Sequence, residues 1–379
     1  MKKLGLYIHI PFCMNKCFYC DFATMPYQDK RIPEYFDLLE KEIYMYRDLA
    51  KDFEIDSIYI GGGTPTYVDS KYIERIFKVI YSLFNIKDDI EITIEGNPKT
   101  IDEDKIKTYK KIGINRISLG VQSFNDNLVK DLGRNHTKED VIKDIDLLRE
   151  YNFKNINLDL IFSLPNQNFE DIKNDIEYLK LLNPEHISWY SLIIEENTKF
   201  NRLYKEGLIK PMEDDLEREL YLYIIKELEK IGLCHYEISN FSKENHQSYH
   251  NKKYWNCDNY LGIGLNAAGY INDTRYVNYS NWKKYRNEII ENKLPISSKE
   301  ILSEKDSLFE YIIMRLRLKE GLDLNYIKEK YNYDFYTNNK DLIESYINNG
   351  LIERDINRLR FTSKGFYISN NFFVNMKIK

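Results

Sequence analysis

The stretch LGLYIHIPFCMNKCFYC, residues 4–20, joins two signals in one place. Its first part, Leu4–Ile10, is mostly apolar and β-branched, which predicts a buried strand. Its second part carries Cys13, Cys17 and Cys20 in a C-x-x-x-C-x-x-C spacing directly after that strand. The first ten residues, MKKLGLYIHI, also imitate the basic and apolar parts of an export signal. His9 and Pro11 interrupt that pattern, however, and no small-residue cleavage site follows. The expectation is a first strand in a cytoplasmic protein.

Working outward, short β-branched runs alternate with longer amphipathic stretches up to about residue 240, the pattern of βα units around a parallel sheet. Six strands are expected: Leu4–Ile10, Ile55–Ile60, Ile90–Glu95, Asn115–Leu119, Asn155–Leu160 and His186–Ile193. Helices are expected near 31–51, 69–84, 101–111, 137–151, 168–182 and 213–231. Six such units fit a doubly wound sheet or an incomplete relative of the eight-stranded barrel, and periodicity alone does not choose. Residues 241–300, rich in Asn, Gly and Tyr without a sustained period, read as a long ordered loop of the functional kind. Residues 301–379 read as helix, short helix, helix and two short strands, Leu351–Arg354 and Leu359–Thr362. That is a winged-helix-like order, and its nearly balanced charge favours protein packing over nucleic-acid binding.

Composition narrows the classes. The chain has 379 residues, 43% of them hydrophobic, and a formal net charge of −5, with a mean hydropathy of −0.56. No apolar run approaches the roughly 20 residues that span a bilayer, and no basic excess points to nucleic acid. Five cysteines are too few for a disulfide scaffold. Cys234 and Cys257 stand apart from the trio and read as inert thiols.

The unusual motifs of the first 200 residues all fall at the C-terminal ends of expected strands, where parallel βα folds build their sites. Strand one runs into the cysteines, strand two into Gly61-Gly62-Gly63-Thr64-Pro65, and strand three into Glu95-Gly96-Asn97-Pro98. Strand four leads to Gln122, strand five contains Asp159, and Arg134 follows close behind strand four. Three thiolates on one loop suit zinc or an iron–sulfur cluster. No fourth cysteine follows at short spacing, so a [4Fe–4S] cluster with one iron open to a small molecule is the natural alternative to zinc. His9 or a distant cysteine would be needed to complete a zinc site. The glycine run is either a tight strand end or a close backbone approach to a ligand. Glu95, Gln122, Arg134 and Asp159 are placed to hydrogen-bond that ligand, and each is equally an ordinary strand-end polar group.

The cysteine spacing followed by Gly62-Gly63-Thr64-Pro65 resembles the radical S-adenosylmethionine superfamily. The resemblance implies a [4Fe–4S] cluster on Cys13, Cys17 and Cys20 as metal ligands, S-adenosylmethionine chelated to the open iron, and an α/β fold. That fold is a partial (β/α)6 radical SAM barrel over 1–240, followed by the 241–300 loop and the winged-helix-like α+β domain of 301–379. Nearly the whole chain resembles the oxygen-independent coproporphyrinogen III oxidase group and its haem-chaperone branch, the HemW-type proteins. The matches are YIHIPFC, CFYCDF, GGGTPT, EGNP, ISLGVQSF, LGRNH, NLDLIFSLP, YEISNF, HNKKYW and YLGIGLNAAGY. By that similarity Tyr7 lies beside the cluster and Gly62, Gly63 and Thr64 hold the methionine amino group. Glu95, Gln122, Arg134 and Asp159 complete the S-adenosylmethionine pocket.

Two features separate the branches. The oxidases resemble C-x-x-x-C-x-x-C-x-C, whereas this chain has Phe22 where their extra cysteine stands. The chaperone branch carries H-N-x-x-Y-W, matched by His250-Asn251-Lys252-Lys253-Tyr254-Trp255. Imidazole is a sound axial ligand for haem iron and aromatic rings offer flat contacts to a porphyrin. The bland reading of His250 is that it orders its loop, and a metal pair of His246 with His250 is disfavoured because the segment does not read as helical. The resemblance implies a cytoplasmic haem chaperone that takes up haem and hands it to an acceptor such as a respiratory protein, with peripheral contact with respiratory proteins, no membrane span and no partner nucleic acid. The alternative is oxidative decarboxylation of coproporphyrinogen III in porphyrin biosynthesis.

Overall fold

The computed structural model describes residues 1–378, and all six expected strands are present. They are β1 (Lys2–Ile10), β2 (Phe53–Gly62), β3 (Asn85–Gly96), β4 (Arg116–Gln122), β5 (Ile156–Phe162) and β6 (His186–Ser191). Leu4, Leu6, Ile8 and Ile10 of β1 and Ile55, Ile58 and Ile60 of β2 are fully buried, as parallel strands covered on both faces must be. Each such side chain contributes ~1.5–3 kcal/mol relative to exposure. Helices Lys138–Glu150 and Phe169–Leu182 connect consecutive strands, and each begins in a capping box, at Thr137 and at Asn168. These caps satisfy the first amides and fix where the chain leaves the site end of the sheet.

The chain divides into two compact units, Met1–Met212 with Asn259–Glu300, and Glu213–Asp258 with Ile301–Lys379. In the first unit the sheet continues beyond β1 with β7 (Tyr260–Ile263), β8 (Ala268–Ile271), β9 (Thr274–Asn278) and β10 (Ile296–Ile301). The order is β10-β9-β8-β7-β1-β2-β3-β4-β5-β6, an open sheet and thus a partial barrel. β7 to β6 run parallel, and β8 and β9 add on as antiparallel strands.

Residues 241–300 are therefore not a long loop. Four strands and the helices Tyr249–Asn256 and Trp282–Ile290 occupy most of the stretch. The elements are four to nine residues long, too short for a period to emerge, and the asparagines serve as turn residues. Asn272 and Asp273 both take positive φ, 48° and 56°, and close the β8–β9 hairpin where Ile271 faces Thr274, the two-residue turn that matches strand twist. The expected boundaries at 240 and 300 shift accordingly. Helix Asp214–Lys230, expected within the barrel segment, belongs to the second unit, while 259–300 returns to the first.

The second unit has the winged-helix order expected from 301 onward: helix Glu304–Leu316, strand Leu322–Asp323, helices Leu324–Tyr331 and Lys340–Asn348, and strands Ile352–Arg354 and Arg358–Phe361. Arg358–Phe361 lies between the other two strands, with Leu359 opposite Leu322 and Phe361 opposite Ile352. The two-residue Leu322–Asp323 strand was too short to expect. The HNKKYW segment is helical here, over Tyr249–Asn256, because Ser248 accepts the Asn251 amide as an N-cap.

Candidate functional site: a cysteine loop over the strand ends

The β1–β2 ladder carries past the strand ends and clamps the cysteine loop onto the glycine run. Gly63 N donates to Ile10 O at 2.8 Å and Thr64 N donates to Phe12 O at 2.8 Å. A Cβ on Gly63 would stand 2.7 Å from Phe12 O and 2.9 Å from the Cys13 sulfur, so glycine permits the approach. Gly62, at φ 115°, lies against the His9 ring at a distance no Cβ could share. His9 Nε2 donates to Ala23 O at 3.0 Å and its Nδ1 accepts from the Tyr7 hydroxyl at 3.1 Å. Burial pushes this imidazole down to about 4. Both ring nitrogens are engaged, so His9 is a wall of the site and does not complete a zinc shell.

From the cysteines a polar chain crosses three strand ends. The Cys13 sulfur lies 3.4 Å from Thr64 Oγ1, which accepts from Asn97 Nδ2 at 2.8 Å. Asn97 Oδ1 accepts from Arg134 Nη2 at 2.6 Å, which also donates to Gly120 O at 2.7 Å. Arg134 Nη1 then reaches the Cys17 sulfur at 3.5 Å and the Tyr19 hydroxyl at 3.4 Å. Around Gly120 the amide of Gln122, the Arg134 guanidinium and Asn97 converge, each within 3.1 Å of where a Cβ would sit. Cys17, Thr64, Asn97 and Arg134 line one cleft.

Glu95, on β3, has a separate set of partners. Its carboxylate accepts from the Tyr59 hydroxyl at 2.7 Å and from Gly62 N at 3.0 Å, and burial pushes it up to about 7, with the Asp159 charge adding to the effect. Tyr7 stacks on Tyr59 with centroids 6.2 Å apart. Asp159 accepts from Ser118 Oγ at 3.0 Å and Asn157 Nδ2 at 2.7 Å, and burial raises its pKa as well. Of the expected residues, Gly62, Gly63, Thr64, Glu95 and Gln122 stand at or just past the ends of β2, β3 and β4, Arg134 follows the short helix Asp126–Asp131, and Tyr7 and Asp159 lie within β1 and β5. Thr64, Gln122 and Arg134 meet around Asn97, whereas Glu95 bonds to Tyr59 and Gly62 and Asp159 to Ser118 and Asn157. Asn97 and Tyr19 had no assigned role, although Asn97 joins Thr64 to Arg134. Its strand-end position in EGNP was the signal available.

The thiols fit an iron–sulfur cluster by their chemistry. Cys13, Cys17 and Cys20 are free, and the Cys13 thiol feels the charges of both others. Burial pushes Cys13 up to about 11, opposed by Thr64 and Arg134, and also raises Cys20. Soft thiols gathered on one loop beside a guanidinium that offsets their charge are a donor set that exchanges protons for iron.

His250 lies in the second unit. It is fully buried, its Nε2 is 3.0 Å from the Tyr254 hydroxyl, and the two rings meet edge to face, 5.4 Å between centroids. Among the described residues no helix is long and apolar enough to cross a membrane.

Residues 7–179 match the radical SAM superfamily and residues 302–368 the HemN C-terminal domain. The superfamily implies a [4Fe–4S] cluster and S-adenosylmethionine. The chain is 36% identical over 375 residues to heme chaperone HemW of Lactococcus lactis subsp. lactis, covering 98% of this chain and 97% of that protein. It is 35% identical over 374 residues to heme chaperone HemW of Bacillus subtilis, covering 97% of each. Among solved structures, coproporphyrinogen III oxidase (HemN) from Escherichia coli superposes with a TM-score of 0.87 at 24% identity, over 98% of this chain and 89% of that one, a likeness of fold. With its cysteine loop, strand-end network and end-to-end similarity to these relatives, the chain belongs to the HemW haem-chaperone family within the radical SAM superfamily.

Proposed function

We propose that this protein is a haem chaperone of the cytoplasm that holds a [4Fe–4S] cluster on Cys13, Cys17 and Cys20, binds S-adenosylmethionine beside it, and passes haem to an acceptor such as a respiratory enzyme. The observation that carries the cofactor part is the hydrogen-bonded chain from Cys13 through Thr64, Asn97 and Arg134 to Cys17. Similarity to the chaperones along 98% of the chain carries the rest. When bound, the cluster supplies one iron without a protein ligand, to which S-adenosylmethionine chelates.

The chain's own groups orient that molecule. The Gly62–Gly63 backbone and Thr64 would hold its methionine amino group, with Tyr7 beside the cluster. Arg134, pinned by Asn97 and Gly120, presents a fixed positive charge to its carboxylate. Burial raises both the Glu95 carboxyl, to about 7, and that of Asp159, and a cationic ligand group beside Glu95 would favour its ionised form. Gln122 completes the pocket with a neutral amide.

Haem is the cargo, and His250 is the imidazole proposed to ligate it. Its Nε2 must exchange the Tyr254 hydroxyl for iron, so uptake opens this part of the helix. Phe22, 61% exposed, replaces the additional cysteine of the oxidases and supports the chaperone over the oxidase. The test is anaerobic reconstitution of the full chain, followed by haem titration and a coproporphyrinogen III turnover assay in parallel. A Soret band that titrates in wild type and is weakened in His250→Ala, with no turnover, is expected. Protoporphyrinogen formation, or no haem binding, overturns the proposal.

A further inference from the structure

Gln122 occupies a left-handed conformation, φ 71°, which strains a residue with a Cβ and a long side chain. It is 7% exposed and sits just after an irregularity in the β4–β5 ladder, between Gly120 and Gln122. Something must hold the chain in this turn, and the following residues show what does. Ser123 Oγ donates to Asp175 at 3.1 and 3.2 Å from its two oxygens, and Phe124 N donates to Asp175 Oδ1 at 2.7 Å. One turn earlier on the same helix, Asp171 accepts from Asn125 Nδ2 at 2.7 Å. The Phe124 ring stacks on Tyr178 of that helix with centroids 4.8 Å apart and planes 14° from parallel. Asp175 is fully buried and has no part in the network around the cysteines.

We infer that Asp175 is a positioning residue for S-adenosylmethionine: it fastens Ser123 and Phe124 to helix Phe169–Leu182 and thereby fixes the left-handed turn that aims the Gln122 amide toward Asn97 and Arg134. The inference rests on the reading of Gln122 as a pocket residue. Without the buried acceptor, β4 can leave its ladder in the common right-handed or extended conformations. The Gln122 amide then no longer lies within reach of the position beside Gly120. None of Ser123, Phe124, Asn125, Asp171 and Asp175 is a cysteine ligand, so the cluster is expected to load without this fastening.

The test uses the full chain, reconstituted anaerobically, with iron and sulfide content measured first and S-adenosylmethionine affinity read second. Affinity is read from the change it makes in the reduced cluster's paramagnetic resonance spectrum. Asp175→Leu is expected to load a full cluster but to bind S-adenosylmethionine about 10-fold more weakly, the ~1.4 kcal/mol of one misplaced hydrogen bond. Asp175→Asn keeps an oxygen for the Phe124 amide and the Ser123 hydroxyl and is expected to restore wild-type affinity. Ser123→Ala, which introduces no bulk, is expected to lose affinity in the same direction and keeps the test open should Asp175→Leu fold poorly. Wild-type affinity in Ser123→Ala and Asp175→Leu, or equal losses in Asp175→Asn and Asp175→Leu, overturns the inference. Gln122→Ala separates the two levels: if it binds S-adenosylmethionine like wild type, the pocket reading of Gln122 fails; if it binds weakly while Asp175→Leu does not, only the positioning role fails.

Discussion

The strand ends of the first unit and the HNKKYW helix of the second handle their functional groups in opposite ways. At the strand ends, Arg134 spreads its donors over Asn97, Gly120, Cys17 and Tyr19, leaving the groups half-buried around a cleft. In the helix, His250 is wholly buried and its Nε2 meets the Tyr254 hydroxyl. The difference teaches that a site built across several strands is rigid before its ligand arrives, whereas a site built within one helix can be closed by its own neighbour and must open.

The largest expected effect breaks the first half of that comparison. Cys13→Ala, Cys17→Ala or Cys20→Ala should abolish the visible absorbance of the reconstituted cluster, while Cys257→Ala leaves it intact. Equal loss in all four would show that the loop is not the ligand set. Next, Arg134→Ala should weaken S-adenosylmethionine binding ~10–100-fold, since charge-assisted hydrogen bonds are worth ~1.5–3 kcal/mol each. Isothermal titration of the cluster-loaded protein checks this, and an unchanged affinity refutes the rigid-site reading.

A third prediction asks how burial acts inside the first unit. Glu42 is fully buried, accepting from Asn278, Tyr285 and Gly264, and burial pushes it up to about 7 from 4.5. The folded protein therefore holds a proton there that the unfolded chain gives up between those values. This stabilising contribution is complete below pH 4.5 and lost as pH rises to about 7, on the order of 3 kcal/mol at 1.36 kcal/mol per unit. Glu42→Gln should flatten the slope of unfolding free energy across that window, even though its absolute stability drops; an unchanged slope in denaturant titrations would contradict the assignment. The smallest effect sharpens the second half of the comparison. Tyr254→Phe removes the partner that closes His250, so haem should bind ~3–10-fold tighter by Soret titration, the ~1 kcal/mol of one hydrogen bond. Weaker binding would mean that the hydroxyl assists the imidazole.

Legibility followed the length scale of the forces. The six βα strands were readable because buried branched residues recur along each of them, as Ile55, Ile58 and Ile60 do on β2. The cysteine trio and the glycine run were readable because thiol ligation and close backbone approach each demand particular residue types. The β7–β10 strands were not, since strands of four to six residues separated by asparagine turns carry no period. Nor was the helix around His250, where one serine cap starts eight residues with only scattered apolar positions. Asn97 and Asp175 escaped because their roles exist only once distant strands and helices are brought together. No spacing in the chain links Asn97 to Arg134, or Ser123 to Asp175.

The discontinuity of the first unit bears on biosynthesis. β1, which delivers the cysteine loop, pairs with β2 on one side but with β7 on the other, Gly5 facing Tyr260. At roughly 5–20 residues per second, the ribosome needs about 10–50 s to make the intervening ~250 residues. Throughout that interval one edge of β1 lacks its neighbour. A nascent protein shorter than 260 residues therefore lacks the strand that covers this edge, and a bare strand edge is a template for pairing with another chain.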